Sequence, residues 1–333
     1  MTRVRRFGPT AVLLVLAGCE HQKSPEVLGG HGDEGHRIGQ LWWLMFGLAA
    51  VVYVVVAAFV ILAVLRGRRR DRLQPDLATA RSDAGFIWVG GVIGPVLILT
   101  VLGVVTVTTT AGLRTPHPDA VKIHVTGERW WWDVDYPDAR FRTANEVRIP
   151  VGQPIDLTLT SDNVIHSFWV PDLAGKVDMI PGQTNHLRFT ATKVGTYRGQ
   201  CAEFCGLAHA QMAFVVIAES PADYGRWVAR RTSGAGTQAE SDAEEQGQRI
   251  FEAESCAGCH TIAGTSAQGT FGPDLSDFGE RTAIGAITVH NTPAELRQWI
   301  TDPQSIKPGN LMPGTRLTPQ ELDEVVAYLE SLQ

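Results

Sequence analysis

Two long stretches of the chain contain no charged residue, one over Ile38–Leu65 and one over Ala84–Leu113. About 20 apolar residues are enough for a helix to cross a bilayer, so each stretch can span one even when tilted. A buried core helix of a soluble protein is the alternative, although few such helices run this far without a charge. The pattern predicts a transmembrane hairpin over 38–113, with spans at about 41–65 and 86–110.

The segment between the two spans is strongly basic. Residues 66–83 contain six arginines and three aspartates, whereas residues 20–40 contain two basic and four acidic side chains. By the positive-inside rule, the connecting loop lies in the cytoplasm. The N-terminal segment and everything after about residue 114 then lie on the outer side of the membrane.

The first 19 residues have the order of an export signal: arginines, an apolar stretch and the sequence Leu16-Ala17-Gly18-Cys19. This order resembles a bacterial lipoprotein signal peptide over 1–19, and the resemblance implies that Cys19 is lipidated. A plain export signal with an incidental cysteine is the alternative. An acyl chain would add only a modest anchor to two spans.

Apolar and polar residues alternate in many short runs between residues 120 and 218, which predicts β-structure. Turn residues such as Pro181-Gly182 separate the runs, and this punctuation favours a sandwich or small barrel. The predicted strands are Val121–Thr126, Val147–Val151, Ile155–Thr160, Ser167–Val170, His186–Thr190 and Gln211–Ala218.

The pattern changes again after the β-region. Small and charged residues without apolar periodicity predict a flexible linker within 221–246. Residues 247–333 are predicted to form a small helical domain, because Thr292 and Thr318 each begin a capping box with proline at the first helical position. One apolar helical face follows the second box, formed by Leu322, Val325, Val326 and Leu329.

Composition narrows the functional classes. The chain has 333 residues with 29 basic and 35 acidic side chains, and a net charge of −6 argues against a nucleic-acid partner. Five cysteines are too few for a dense disulfide scaffold. The chemistry must therefore come from particular motifs.

One segment of the β-region is rich in soft metal ligands: Cys201-Ala202-Glu203-Phe204-Cys205-Gly206-Leu207-Ala208-His209-Ala210-Gln211-Met212, with His166 lying 35 residues before Cys201. Thiolate, imidazole and thioether ligands on a β-sandwich are typical of copper electron-transfer sites. Two cysteines allow both sulfurs to bridge two copper ions. A disulfide is one alternative, but it leaves His209 and Met212 unexplained. A zinc site is the other, with a C-x3-C-x3-H spacing unusual for structural zinc.

The helical region contains Cys256-Ala257-Gly258-Cys259-His260, the C-x-x-C-H signature of covalent haem c attachment. Cys256 and Cys259 would bind the haem vinyl groups, and His260 would be an axial iron ligand. The sixth ligand is Met312 or His290. Met312 is favoured because it lies in Asn310-Leu311-Met312-Pro313-Gly314, which resembles the methionine loop of class I cytochromes c. Histidine–methionine ligation raises the iron potential, which suits an electron relay.

Together these motifs resemble subunit II of a haem–copper cytochrome c oxidase with a fused C-terminal class I cytochrome c domain. The resemblance implies a multidomain membrane protein: a two-helix transmembrane hairpin, an all-β cupredoxin-like sandwich over 115–220 and an all-α cytochrome c domain over 247–333. It implies a dinuclear copper centre whose ligands are His166, Cys201, Cys205, His209, Met212 and the backbone carbonyl of Glu203.

The same resemblance assigns two further residues. The Glu203 carboxylate would face subunit I and help hold a magnesium ion. Trp130, in Gly127-Glu128-Arg129-Trp130-Trp131-Trp132, would be the position through which electrons reach the copper. If this segment is a strand, Trp130 and Trp132 share one face. The chain departs from the family at Gly85, three residues before Trp88, where a glutamate often serves a proton path; the nearest carboxylate is Asp83.

The implied function is that of a respiratory cytochrome-c oxidase subunit. Electrons from an external cytochrome or other one-electron donor would pass through haem c and the dinuclear copper to subunit I, where oxygen reduction is coupled to proton translocation. Partners would be subunit I, other oxidase subunits and membrane lipid, at a bacterial plasma membrane with both C-terminal domains on the periplasmic side. The alternatives are a dinuclear-copper subunit of a nitric oxide reductase and a copper-binding assembly module. A quinol oxidase subunit is disfavoured because those subunits lack these copper ligands.

Overall fold

The computed structural model describes residues 25–67, 80–112, 117–234, 239 and 241–333. The signal sequence with Cys19 and most arginines of the interhelical loop lie outside the described residues, as does the side chain of Asp83.

Two apolar helical stretches form the N-terminal part. Helix α1 covers Asp33–Gly67; α2 covers Ala80–Trp88 and continues through a π-helical turn at Val89–Ile93 into α3, Gly94–Gly112. Within the described residues, Asp33–Gly67 and Ala84–Ala111 are each long and apolar enough to cross a membrane, and their most apolar windows are not covered by the rest of the chain. Side chains that face outward all around a helix are suited to lipid.

The beginning of α1 is attached to the β-domain. The backbone N–H of Gly35 donates to Leu173 O at 2.9 Å, and the Asp33 carboxylate accepts a hydrogen bond from the N–H of Thr190 at 2.7 Å. The N–H of Gly35 lies in the first turn of α1, where N–H groups have no intrahelical partner. The Asp33 carboxylate is a side-chain acceptor at the same end of the helix. These bonds fix the β-domain beside the N-terminal end of α1.

Ten strands form two five-stranded sheets, ordered β3-β2-β1-β5-β8 and β4-β10-β9-β6-β7. The β1–β5 and β4–β10 pairs are parallel, and the other pairs are antiparallel. The strands are β1 Val121–Glu128, β2 Trp131–Tyr136, β3 Phe141–Ala144, β4 Glu146–Pro150, β5 Pro154–Ser161, β6 His166–Trp169, β7 Val177–Met179, β8 Asn185–Thr190, β9 Gly195–Cys201 and β10 Ala213–Glu219.

Alternate strand residues fill the space between the sheets. Ile155, Leu157 and Leu159 of β5 are fully buried, and the ring of Trp132 packs edge-on against Phe214 with centroids 5.0 Å apart. Each fully buried aliphatic or aromatic side chain contributes about 1.5–3 kcal/mol. This apolar core makes the sandwich a rigid support for the loop between β9 and β10.

The C-terminal domain is mainly helical, with α5 Asp242–Ala253, α6 Cys256–Cys259, α7 Pro293–Thr301, α8 Pro303–Ile306, α9 Pro319–Ser331 and a two-stranded ribbon of β11 Ala283–Ile284 and β12 Val289–His290. The predicted face of α9 is confirmed, because Val325, Val326 and Leu329 are buried. Thr318 forms a full capping box, and Thr292 caps α7 by accepting a hydrogen bond from a backbone N–H. The predicted order of two apolar helices, a β-sandwich and a helical domain is confirmed.

The predicted linker over 221–246 extends too far. Residues Pro221–Ser233 form helix α4, whose Trp227 is buried in the core of the sandwich. Ser241 begins α5 with a capping box to Glu244. The connection between the two helices is therefore 234–241. The polar sequence hid two signals: the amphipathic helix α4 and the capping box at Ser241.

Candidate metal centres

The loop between β9 and β10 brings most of the predicted copper ligands together. Cys201 ends β9 and His166 begins β6, which pairs with β9 through Phe168 and Cys201. A 3₁₀ turn over His209–Gln211 then returns the chain to β10. Two adjacent strands and one tight turn thus hold the donors, so the sandwich core fixes their positions.

The donor atoms surround the two cysteine sulfurs. Cys201 Sγ lies 3.8 Å from Cys205 Sγ, 3.8 Å from His166 Nδ1 and 3.2 Å from Glu203 O. Cys205 Sγ lies 3.5 Å from His209 Nδ1 and 3.8 Å from Met212 Sδ. The structure therefore brings all six predicted donors to one place. One histidine nitrogen and one further donor atom lie beside each cysteine sulfur.

Asn163 orients the His166 ring through Nε2, the nitrogen that does not face Cys201. Its Nε2–H donates to Asn163 Oδ1 at 3.2 Å, and the Asn163 amide donates to Glu128 Oε2 at 2.6 Å. A hydrogen bond at one ring nitrogen fixes the tautomer and leaves the other as a ligand. Asn163 fixes Nδ1 as the donor atom facing Cys201. Sequence reasoning did not single out Asn163, although it precedes the histidine by only three residues.

The two cysteines are free thiols in the buried cluster. Their sulfurs are 3.8 Å apart, well beyond the roughly 2.05 Å of a disulfide bond. The hydrogen bond between them lowers the pKa of the Cys201 thiol, so one sulfur ionises readily to the thiolate that binds metal. A thioether at 3.8 Å from Cys205 Sγ is a soft donor that suits copper better than zinc.

Residues 127–132 do not form one strand, so the condition under which Trp130 and Trp132 would share a face is not met. Arg129 and Trp130 form the turn between β1 and β2, whereas Trp132 is fully buried in the core. Because Trp130 lies in the hairpin turn, the alternation of side chains along a strand does not set the direction of its indole. The indole N–H of Trp130 donates to Cys205 O at 2.9 Å, which places Trp130 against the copper-ligand loop.

A second constellation lines an apolar cleft in the C-terminal domain. Its walls include the attachment motif, the methionine loop and the Trp130 turn of the β-domain; these lining residues are Cys256, Cys259, His260, Met312, Arg129, Trp130 and Trp131. A cleft with apolar walls, two thiols and an imidazole fits a covalently attached porphyrin. The cleft is therefore shared between the two domains.

His260 is prepared for a metal on one nitrogen. Its Nδ1–H donates to Pro273 O at 2.8 Å, which leaves Nε2 as the ligand atom. Burial lowers the pKa of His260, so the neutral, metal-binding form is favoured. Gly272 lies directly on the ring, where a Cβ would come within 2.6 Å of Cε1. Only glycine allows this approach.

The structure separates the two candidates for the sixth iron ligand. Met312 lines the cleft that contains His260, and Asn310 Oδ1 holds its backbone N–H at 2.9 Å. His290 is exposed on β12 and does not line that cleft. The geometry favours Met312.

Charged groups join the two domains beside these centres. Thr143 of β3 donates to Asp277 at 2.7 Å, Arg281 pairs with Asp277 at 2.6 Å, and the Glu146 carboxylate accepts from the N–H of Thr282 at 2.9 Å. Burial opposes ionisation of Asp277, but the nearby Arg281 and Arg231 outweigh it and lower its pKa. The β-domain and the C-terminal domain therefore form a polar, hydrogen-bonded interface.

Lys307 is a buried cation at this interface. It contacts the loop that carries the predicted copper ligands, residues 201–212, which we call the copper loop. Its Nζ donates to Trp130 O at 2.7 Å, Gln211 O at 2.8 Å and Gly285 O at 2.8 Å. Burial lowers the pKa of Lys307, whereas its three carbonyl partners stabilise the protonated form. No sequence signal distinguished this lysine, because its partners are backbone carbonyls from three distant segments.

Both domains match known protein families. Residues 139–219 match the family described as cytochrome c oxidase subunit II, periplasmic domain. Residues 244–333 match the cytochrome c family. The two matches together include every predicted copper and haem ligand.

Relatives match most or nearly all of the chain. A protein named cytochrome c oxidase subunit 2 from Alkalihalophilus pseudofirmus is 36% identical over 341 residues, covering 98% of this chain and 97% of that protein. Another of the same name, from Bacillus sp., is 32% identical over 258 residues, covering 72% of each. The crystal structure of the periplasmic domain of subunit II of cytochrome oxidase from Bradyrhizobium japonicum is 32% identical and covers 35% of this chain and 96% of that one, with a TM-score of 0.34.

Proposed function

The chain belongs to the cytochrome c oxidase subunit II family, and from that premise we propose that it carries electrons from an external one-electron donor through haem c and a dinuclear copper centre to the oxygen-reducing subunit I. The family makes it part of a terminal oxidase, a membrane protein with periplasmic domains that bear copper and haem. The oxygen-reducing site lies in another subunit.

One observation carries this proposal. Trp130 lines the cleft that contains Cys256, Cys259 and His260, and the same indole donates a hydrogen bond to the backbone of the copper ligand Cys205 at 2.9 Å. Trp130 thus lines the haem cleft and also contacts the loop of copper ligands. It supports a direct electron path between them within a single chain.

The residues of the β-domain fit a dinuclear copper site. The two metals would be held by the thiolates of Cys201 and Cys205, the imidazoles of His166 and His209, Met212 Sδ and Glu203 O. When bound, two coppers sharing one unpaired electron accept and release an electron with little rearrangement. The chain contributes a preformed donor set, since the sandwich fixes the cysteines and Asn163 fixes the His166 ring.

The C-terminal domain supplies a separate redox group. Cys256 and Cys259 would hold the haem covalently, and His260 Nε2 and Met312 Sδ would bind its iron. A bound haem c would supply one-electron chemistry, at a potential raised by the Met312 thioether. The apolar walls of the cleft would keep water away from it.

Three finer features belong to the same proposal. The Glu203 carboxylate, whose Oε2 lies 4.0 Å from Lys176 Nζ, would help to bind magnesium at the contact with subunit I. Electron transfer would be coupled to proton translocation across a bacterial plasma membrane. Both spans would cross that membrane, which leaves the two redox domains on its periplasmic side.

Trp130→Phe in the purified oxidase complex tests the path. Loss of the indole hydrogen bond to Cys205 should slow electron transfer from haem c to copper, and oxygen uptake with it, by about tenfold or more, because small displacements at a reaction path have large kinetic costs. Flash reduction of the haem followed by the copper absorbance measures the rate. Trp169→Phe, a half-buried tryptophan of β6 that does not line the cleft, is the matched control. Equal rates in all three proteins would contradict the path.

A further inference from the structure

Lys307 occupies an unusual environment for a charged side chain. It follows α8 in the segment leading to Met312, and only 2% of its surface is exposed. Lysine is almost never fully buried unless it is paired. Its charge cannot be explained by a salt bridge, because no described carboxylate lies within 4.0 Å of it.

The ammonium group is instead matched to three carbonyl oxygens. A protonated lysine has three N–H donors and no acceptor, and Lys307 Nζ contacts Trp130 O at 2.7 Å, Gln211 O at 2.8 Å and Gly285 O at 2.8 Å. Without Lys307, Trp130 O would lose its described hydrogen-bond donor, which is costly for a buried group, whereas Thr288 Oγ1 also donates to Gly285 O at 2.6 Å and to Gln211 O at 3.4 Å. An aliphatic side chain could fill the same volume but could not pair with them.

Each partner belongs to a segment with a role in electron transfer. Trp130 forms the turn that contacts Cys205, Gln211 immediately precedes Met212, and Gly285 lines the haem cleft. Two of these segments belong to the β-domain, or copper domain. The third belongs, with Lys307 itself, to the C-terminal domain, or haem domain. One cation therefore joins the two redox domains where both ligand sets approach each other.

Neighbouring contacts hold the same part of the interface. Gln211 Nε2 donates to Ile306 O, directly before Lys307, at 2.9 Å. The N–H of Ala213 donates to Ala286 O at 3.2 Å. The Leu207 side chain lies on Gly309, where a Cβ would come within 2.7 Å of Cδ2. Residues 207–213, in the second half of the copper loop and the start of β10, are thus packed against the segment around Lys307.

We propose that Lys307 is a positioning residue for electron transfer between the two centres: its ammonium clamps the Trp130 turn and the copper loop against the haem domain. This inference rests on the proposed function. Electron-transfer rates fall steeply with separation, so a fixed distance between the domains sets the rate. The clamp acts through the backbone of its partners and leaves both ligand sets intact.

Lys307→Met tests the clamp in the complete, metal-loaded oxidase, because methionine keeps an unbranched apolar stem and removes the three donors. Electron transfer from haem c to copper should slow by about tenfold or more, since displacements on the order of 1 Å have such kinetic costs. The copper spin-resonance spectrum and the haem absorption spectrum should be unchanged. Backbone hydrogen exchange at 129–131 and 210–213 should increase. Lys193→Met, at an exposed lysine of the copper domain, should change none of these.

The outcomes separate the clamp from the proposed function. A Lys307→Met rate equal to that of the parent would overturn the clamp, and so would an altered copper spectrum, which would place the effect at the metal. A parent protein without internal electron transfer would instead overturn the proposed function. If Lys307→Met does not fold, Lys307→Gln decides. Its shorter amide should also slow transfer with spectra unchanged, and an unchanged rate would overturn the clamp.

Discussion

Cys201→Ser is expected to abolish the dinuclear copper spectrum and to lower oxygen uptake by at least about 100-fold, a larger loss than the 10–100-fold typical when only a supporting residue of a metal site is removed. The physical reason is that Cys201 Sγ lies within 3.8 Å of both Cys205 Sγ and His166 Nδ1. A serine hydroxyl cannot replace a bridging thiolate toward soft copper. Electron spin resonance, copper analysis and oxygen uptake measure the loss.

The control for this variant is the haem of the same chain. Cys201 is in the core of the sandwich, whereas both attachment cysteines lie on α6 of the C-terminal domain. Covalent haem content should therefore stay at the parent level. Thr158→Ser, a conservative change in β5, should keep the copper spectrum and the activity. A full copper spectrum in Cys201→Ser would contradict the ligand assignment.

The double variant Cys256→Ser/Cys259→Ser is expected to lose all covalently bound haem, because both thioether bonds need these sulfurs. Oxygen uptake driven by an external cytochrome should fall by about 100-fold or more, since the chain then lacks the redox group that receives the electron. Haem staining after denaturing electrophoresis and the oxygen-uptake rate measure these effects.

The copper centre serves as the reciprocal control. The double variant should keep its copper content and spin-resonance spectrum, because the six copper donors all belong to the other domain. An artificial small-molecule reductant should reduce the copper in both the parent and the variant. Covalent haem in the double variant would show that attachment does not use this motif.

The ligand motifs could be predicted because each lies in a short contiguous segment. The residues from Cys201 to Met212 occupy one loop and a single turn, so their order in sequence nearly determines their proximity. His166 is distant in sequence, and the pairing of β6 with β9 brings it to Cys201. The six predicted strands were found for a similar reason, since alternation of buried residues is local.

Strands β3, β7 and β9 and helix α4 were overlooked because they lack a strong local hydrophobic signal. Strand β9 contains two glycines and no aliphatic residue, and it is held by its partners β10 and β6. Strands β3 and β7 have only four and three residues. Helix α4 was hidden by polar composition, and it is stabilised by burial of the single tryptophan Trp227. Tertiary contacts determine such elements more than their own propensity does.

The interface between the domains was not predictable from motifs. The sequence suggested a haem domain on a tether, which would act through its effective concentration. The structure shows instead interdomain contacts such as the hydrogen bond from Thr143 to Asp277 and the contacts of Lys307 with Trp130 O and Gln211 O. The partners in these pairs are 96 to 177 residues apart in sequence, and Thr143, Asp277 and Lys307 belong to none of the ligand motifs. A docked haem domain gives the proposed path a defined geometry.

Electron spin resonance of the purified, full-length chain, combined with metal and haem analysis, tests the central claim most directly. The account predicts two coppers and one covalent haem c per chain, and a spectrum in which one unpaired electron is shared equally by both copper nuclei. A disulfide between Cys201 and Cys205, or a single zinc ion in their place, would contradict it.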